Sequence, residues 1–426
     1  MNKPLNRWWI ASAGTGIQIC LGSVYAWSYF QLLLVRQFGW TQSQVAWAFS
    51  TAICFLGLAA AAGGALLPRK GPRVLAVTGG ILFGLGYLLA AWALRAESLF
   101  GLYLGYGVIG GIGLGLGYVT PVATVAKWFP DKKGLATGMV ILGFGMGALV
   151  MSKVLAPALM AWSGGNTASV FAGLGGVFIV IVPLLGLLMR NPPGAVAPKA
   201  ASAAPGRPAW FGGAFILMWL VFFFNILAGI AIIPFQSPLL QELIKARGQT
   251  TLEAAAAAGA TLIAVSSLFN GAGRMLWGWV SDHLGRAMTF RLLLGTQVLA
   301  FAVLTQASHP WLFGALVCYI LLCYGGGFGT MPSFVHDRFG GDVMPAAYGA
   351  MLTAWSAAGI AGPQLVAYLK DHWPQEASVW AFTATAGILL LGTLISLALR
   401  DKPEPAAVSV EPVLAPSPVS AERNSG

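Results

Sequence analysis

The chain has 426 residues, 57% of them apolar and only 9% charged, with 56 glycines and a formal charge of +11. A soluble domain carries about 25% charged residues, so this composition excludes a water-soluble fold, a disordered chain and a nucleic-acid-binding protein. A mean hydropathy of +0.76 points to a polytopic membrane protein whose surface meets the lipid bilayer.

The N-terminal stretch 1–9 is short and basic, and the apolar run behind it continues past Phe30. That is too long for a cleaved signal segment, so it reads as a retained first spanning helix. A bilayer core of about 30 Å needs about 20 mostly apolar residues per helix. Runs of that kind fall at 8–35, 44–67, 73–94, 98–128, 134–160 and 167–189, then at 210–236, 253–280, 287–307, 310–336, 344–369 and 377–399. The runs are continuous and do not alternate as barrel strands do, which predicts an all-α membrane protein with twelve transmembrane helices. Between the sixth and seventh lies a Pro/Ala/Gly-rich connection. The expected organisation is a six-helix bundle over 1–190, a cytoplasmic linker over 191–209, a second six-helix bundle over 210–400 and a disordered tail over 401–426.

With the N-terminus inside, the inner segments collect most of the Lys and Arg, including Arg7, Arg69, Lys70, Arg73, Lys127, Arg190, Arg286, Arg291, Arg338 and Arg400. The outer ones hold Arg36, Arg95, Lys245, Arg247 and Lys370. This bias puts both termini in the cytoplasm. The halves also echo each other. Gly64, Gly71 and Arg73 follow the second helix, and Gly278, Asp282, Gly285 and Arg286 follow the eighth, 214 residues later. Trp128-Phe-Pro-Asp131 is echoed by Arg338-Phe-Gly-Gly-Asp342. Two halves with matched inner loops indicate a transporter built from parallel repeats.

Arg274 is the sharpest single feature, because a cation inside an apolar helix must face protein or a water-filled cavity. Its planar fork matches a carboxylate bidentately, and every acidic residue of the chain can be placed in a loop, near an interface or in the tail. Snorkelling or an internal pair is the other use of such a residue. Asn270, one turn away on the same face, orients the guanidinium, bonds substrate or glues helices. Tyr25, Tyr118 and Tyr324 offer phenols to a carboxylate or hydroxyl; for Tyr324, as for Tyr29, packing serves equally well. His336 ends the tenth span beside Asp337 and, as the one histidine near membrane depth on the inner side, is the candidate for proton exchange, unless it is simply an interfacial pair. Lys153 is expected to snorkel at the outer interface. The tract Gly105–Gly117 has the small-residue spacing of close helix contact. Cys20, Cys54, Cys318 and Cys323 sit in apolar runs, and no His/Cys cluster has metal spacing, so no metal or cofactor is expected.

The doubled Gly-x-x-x-Asp-x-x-Gly-Arg loop resembles the signature of the major facilitator superfamily. Gly278–Arg286 matches it well; Pro68 replaces the acid in the first copy. Gly22-Ser-Val-Tyr25-Ala-Trp27-Ser28, Gly117-Tyr118-Val-Thr-Pro121, Lys127–Gly138 and Asn270-Gly-Ala-Gly-Arg274 are similar to the oxalate/formate antiporter family and its bacterial monocarboxylate-carrying relatives. The resemblance implies two bundles rocking about a central site for a small carboxylate. Relatives that carry monocarboxylates have Asp where this chain has Asn270, and the oxalate antiporter has a second binding Lys where this chain has Trp355. One fixed cation suits a monoanion, with Trp355 as an apolar wall. The expected function is secondary active transport of a small monocarboxylate anion of the lactate or pyruvate type, proton-coupled, by a monomer in the bacterial inner membrane. An oxalate/formate-type exchanger and an anion channel are the alternatives. No P-loop or catalytic cluster supports a pump or an enzyme.

Overall fold

The computed structural model describes residues 6–129, 131, 133–193, 210–248, 251–340 and 343–401. It is helical throughout, with no strand among the described residues. The first six spans are α1 (Arg7–Phe38), α2 (Gln42–Lys70), α3 (Pro72–Arg95), α4 (Leu99–Trp128), α5 (Ala136–Trp162) and α6 (Thr167–Gly186). The second six are α7 (Gly213–Ile232), α8 (Leu252–Leu284), α9 (Arg286–Leu304), α10 (Pro310–Phe339), α11 (Thr353–His372) and α12 (Ala377–Ser396). Eleven of these are long and apolar enough to cross a membrane. The twelfth, α11, carries Lys370, Asp371 and His372 in its last turn and packs between α2 and α7, so much of it is shielded by protein.

Local sequence sets the helix ends. Asn6 accepts the Trp8 amide at the start of α1. Thr41 and Gln44 form a reciprocal capping box on α2, and Thr251 caps α8 through the Ala254 amide. Such caps satisfy amides that a helix start leaves without partners. A 3₁₀ turn at Ser23–Ala26 breaks α1 at mid-depth, and a π-helical turn at Tyr103–Gly110 sits inside α4. Two shorter helices were not expected as separate elements, Gln236–Ala246 after α7 and Met344–Met351, which splits off the start of the expected run 344–369 before α11. The first was missed because its mixed sequence, Gln-Ser-Pro-Leu-Leu-Gln-Glu, lacks a spanning signal.

Both halves use one packing scheme. In the first, α1 packs on α5, α2 on α4 and α3 on α6; in the second, α7 packs on α11, α8 on α10 and α9 on α12. The two six-helix bundles meet through α2 against α11 and α5 against α8, themselves a symmetric pair of contacts. The repeat reaches the backbone. Gly71 and Gly285, 214 residues apart, both take positive φ (78° and 84°), with ψ of 161° and 154°. Only glycine adopts this conformation readily, which explains the matched loops. The second sequence echo includes Pro130, Gly341 and Asp342, outside the described residues, as are most of the linker and the tail beyond Asp401.

Peripheral faces are apolar. Val180, Leu184 and Leu187 of the α6 region, Leu299 and Val303 of α9, and Leu390, Leu391 and Leu394 of α12 are exposed. Patches of this extent suit lipid contact. Exposed Trp92, Trp162, Trp311, Trp373 and Trp380 ring one end of the bundle, and Trp9 and Trp279 lie at the opposite, basic end. Amphipathic rings of this kind favour the membrane–water boundary. The tract Gly105–Gly117 packs as expected. Gly113 lies on Gly79 and Phe83, and Gly111 and Gly115 lie on the α2 backbone, where a methyl group would clash.

Hydrogen bonds between the halves, among the described residues, run from mid-depth to the end opposite the basic loops. Ser356 donates to the Cys54 carbonyl (2.7 Å), Gln364 to Ser50 (3.3 Å) and Lys153 to Thr261 (2.7 Å). Asp371 accepts from the Gln42 and Ser43 amides, both at 2.8 Å, so a carboxylate of one half caps α2 of the other. A charge at a helix N-terminus gains both from those amides and from the helix dipole. Asp371→Ala is therefore expected to loosen this end. A cysteine at Ser50, which is fully buried, should label several-fold faster with a membrane-impermeant maleimide in the Asp371→Ala background. Equal labelling rates would show that Asp371 does not hold the halves together.

Candidate functional site

Three helices, α5, α8 and α10, cross at mid-depth with almost no space between their backbones. A Cβ on Gly329 of α10 would overlap the Arg274 carbonyl, one on Gly325 the Asn270 carbonyl, and one on Gly145 of α5 would meet Gly271 of α8 at 2.5 Å. These contacts seal Arg274 inside the protein, where it is 4% exposed. Its Nη1 donates to the Tyr118 hydroxyl at 3.3 Å. Its Nε and Nη2 are buried without a hydrogen-bond partner. The Phe144 and Phe328 rings lie 5.5 and 4.9 Å from its central carbon. Among the described residues no carboxylate pairs with it.

Aromatic side chains from both halves form the wall around it. Tyr25 and Tyr324 share a hydrogen bond of 2.6 Å between their hydroxyls. Trp355, fully buried on α11, packs edge-on against Tyr118 (5.2 Å), Phe328 (4.6 Å) and Phe144 (6.0 Å). The 3₁₀ turn in α1 carries Tyr25 into this cluster, and Tyr348 of the short helix before α11 stands against Tyr118. Asn270 is buried, and its Oδ1 has no hydrogen-bond partner. The cluster therefore joins Arg274, Tyr118, Tyr25, Tyr324 and Trp355, with Asn270 one turn along α8. Phe144 and Phe328 were missed, because nothing distinguishes two phenylalanines among 24 until the fold places them.

Cation–π contact returns about 2 kcal/mol or more when desolvated. Removing the charge from water costs several kcal/mol. The rings and one phenol thus leave Arg274 short of a partner. The arrangement can take a small planar anion, with two guanidinium nitrogens free to grip it and rings to exclude water.

The other expected residues lie elsewhere. His336 is about half exposed near the basic end, its Nδ1 3.5 Å from Asp337, away from the aromatic cluster. Tyr29 packs on Phe30. Lys153 is exposed and bonds Thr261. In the loop after α8, Arg286 pairs with Asp282 (2.6 Å) and with Asp337 of α10 (3.1 Å), and also bonds Ser281. Asp401 accepts from the Arg286 and Ala287 amides at the start of α9. In the first half, where Pro68 replaces the acid, Arg73 forms no ion pair among the described residues, while Gly64 is buried in α2 and Gly71 makes the turn. Nearby, Arg7 pairs with Asp131 at 2.7 Å.

The family model for the Major Facilitator Superfamily matches residues 13–363. The chain belongs to the major facilitator superfamily. Members of this superfamily are multi-pass membrane transporters, and the apolar exterior and buried central site accord with that. Among curated relatives, the oxalate:formate antiporter of Oxalobacter formigenes is 25% identical over 420 residues, covering 95% of this chain and 96% of that protein. The apicoplast pyruvate carrier 1 of Toxoplasma gondii is 25% identical, with 90% and 86% covered. Human monocarboxylate transporter 11 is 26% identical, with 86% and 77% covered. The fold matches the crystal structure of a bacterial homologue of the human lysosomal transporter Spinster in an inward-facing, occupied conformation. That match has a TM-score of 0.69, 16% identity and coverage of 93% of this chain and 97% of the other.

Proposed function

We propose that this protein is a secondary transporter of short-chain monocarboxylates of the lactate or pyruvate type, working by alternating access and coupled to protons. One observation carries the reading: a buried Arg274 with two unpartnered nitrogens and, among the described residues, no carboxylate beside it. The named relatives above act on oxalate, formate, pyruvate or monocarboxylates, and a small carboxylate completes this site. Trp355 occupies the position where a second cation would favour a dianion, which supports a monoanion. The protein is a monomer of the bacterial inner membrane with cytoplasmic termini, and the bundles 1–190 and 210–400 rock about the site, joined by the linker 191–209.

The unpaired Arg274 also favours a second reading, anion exchange. An empty site holds a bare cation, whereas a loaded one is close to neutral, so the empty site reorients slowly. The test is uptake of labelled lactate and pyruvate into proteoliposomes with and without an inward proton gradient. Symport gives uptake that rises with the gradient, and His336→Gln flattens that rise. Uptake that ignores the gradient and requires internal carboxylate establishes exchange. A flux that fails to saturate identifies a channel.

A further inference from the structure

Beside the aromatic cluster lies a cavity whose walls include Tyr25, Gln236, Ser266, Ser267 and Asn270. Its open volume of ≈ 10 Å³ is that of about one water, or one ligand oxygen. All five side chains are buried. Ser266 donates to Gln236 Oε1 at 2.7 Å. Gln236 Nε2 makes one long bond, 3.5 Å to the Ile233 carbonyl, although a primary amide carries two N–H donors. Asn270 lines the same space, and its Oδ1 has no hydrogen-bond partner. The lining residues thus include one with an unused acceptor and one with an unused donor, and no lining side chain carries a fixed charge. Asn270 lies one helical turn, about 6 Å, from Arg274 towards the α8 N-terminus. Helical side chains lean in that direction, which brings the guanidinium fork towards the cavity.

We propose that the Gln236–Ser266–Asn270 cavity is a hydroxyl-binding subsite, so that the protein selects hydroxy-substituted short monocarboxylates over unsubstituted ones. This rests on the reading of Arg274 as the carboxylate site. A hydroxyl both donates and accepts, which matches Asn270 Oδ1 and the free Gln236 N–H together. An oxo group only accepts and leaves Asn270 unpaired. A methyl leaves both unpaired, and a buried polar group without a partner loses affinity by roughly 10-fold or more. A second carboxylate meets no cation there.

The test compares lactate with propionate, which share a three-carbon chain and differ by the hydroxyl, by titrating purified full-length protein and following thermal stability. The wild type should bind lactate at least ~10-fold more tightly than propionate, with pyruvate between them. Ser266→Ala and Gln236→Met should each bring the lactate/propionate ratio below about 3-fold. Equal affinities in the wild type, or an unchanged ratio in folded variants, overturn the subsite. If one variant does not fold, the wild-type ratio and the other variant still decide. Equal binding of both acids that is lost in Arg274→Lys overturns the subsite and keeps the carboxylate reading. Failure of the wild type to bind either acid overturns both.

Discussion

Arg274→Lys lowers carboxylate uptake by roughly 100-fold in proteoliposomes while the protein still inserts and folds. Removing one partner from a buried, hydrogen-bonded charge pair costs about 2–5 kcal/mol, and 1.4 kcal/mol is a factor of ten. Lysine keeps the charge but loses the planar fork, so a carboxylate is held by a point charge without two parallel bonds. It also loses the flat surface that lies 4.9 Å from the Phe328 ring and 5.5 Å from the Phe144 ring. Folding should survive, because the α8–α10 seam rests on the glycines at 325 and 329 and not on the guanidinium. The check is initial uptake at matched reconstituted protein, with melting temperature as the control for folding. Near-normal transport by the lysine variant would remove Arg274 from the site.

Trp355→Lys shifts relative uptake from lactate towards oxalate by at least ~10-fold. The indole fills the space between Tyr118 and Phe328 and is fully buried. An ammonium in its place gives the site two cations, which suits a dianion. The variant is also expected to be less stable by about 3–5 kcal/mol, since a large core ring is lost and a second charge is left unpaired when the site is empty. Oxalate should then raise the melting temperature of the variant more than that of the wild type. An unchanged lactate-to-oxalate ratio in a folded variant would show that position 355 does not select charge.

Much of this architecture is written in the sequence because lipid imposes few choices. A segment crossing the bilayer must satisfy its own backbone, so apolar length alone marks the spans. The ends of α3, α4 and α6 agree with the expected runs to within a few residues. Tertiary shielding overrode that rule at α11, where buried Lys370 pairs with Glu242 at 2.7 Å and lowers the apparent hydropathy of a packed helix. Arg274 was legible for the same reason as the spans: a charge inside an apolar run stands out.

Which groups surround that charge was decided elsewhere. Tyr25, Phe144, Arg274, Phe328 and Trp355 lie on five different helices, and their meeting depends on glycine contacts between α1 and α5, α5 and α8, and α8 and α10. The two phenylalanines carry no sequence mark, and the orphaned amide of Asn270 is visible only once its neighbours are known. Asp371 and Asp337 likewise read as ordinary loop or interface acids, until the fold sets one on the amides of α2 and the other on Arg286. The sequence by itself determined the apolar spans, the matched loops of the repeat and the conspicuous cation Arg274, since each follows from hydropathy, spacing or charge along the chain. The tertiary structure decided what partners that cation has and lacks, since burial and pairing depend on residues that no local pattern brings together.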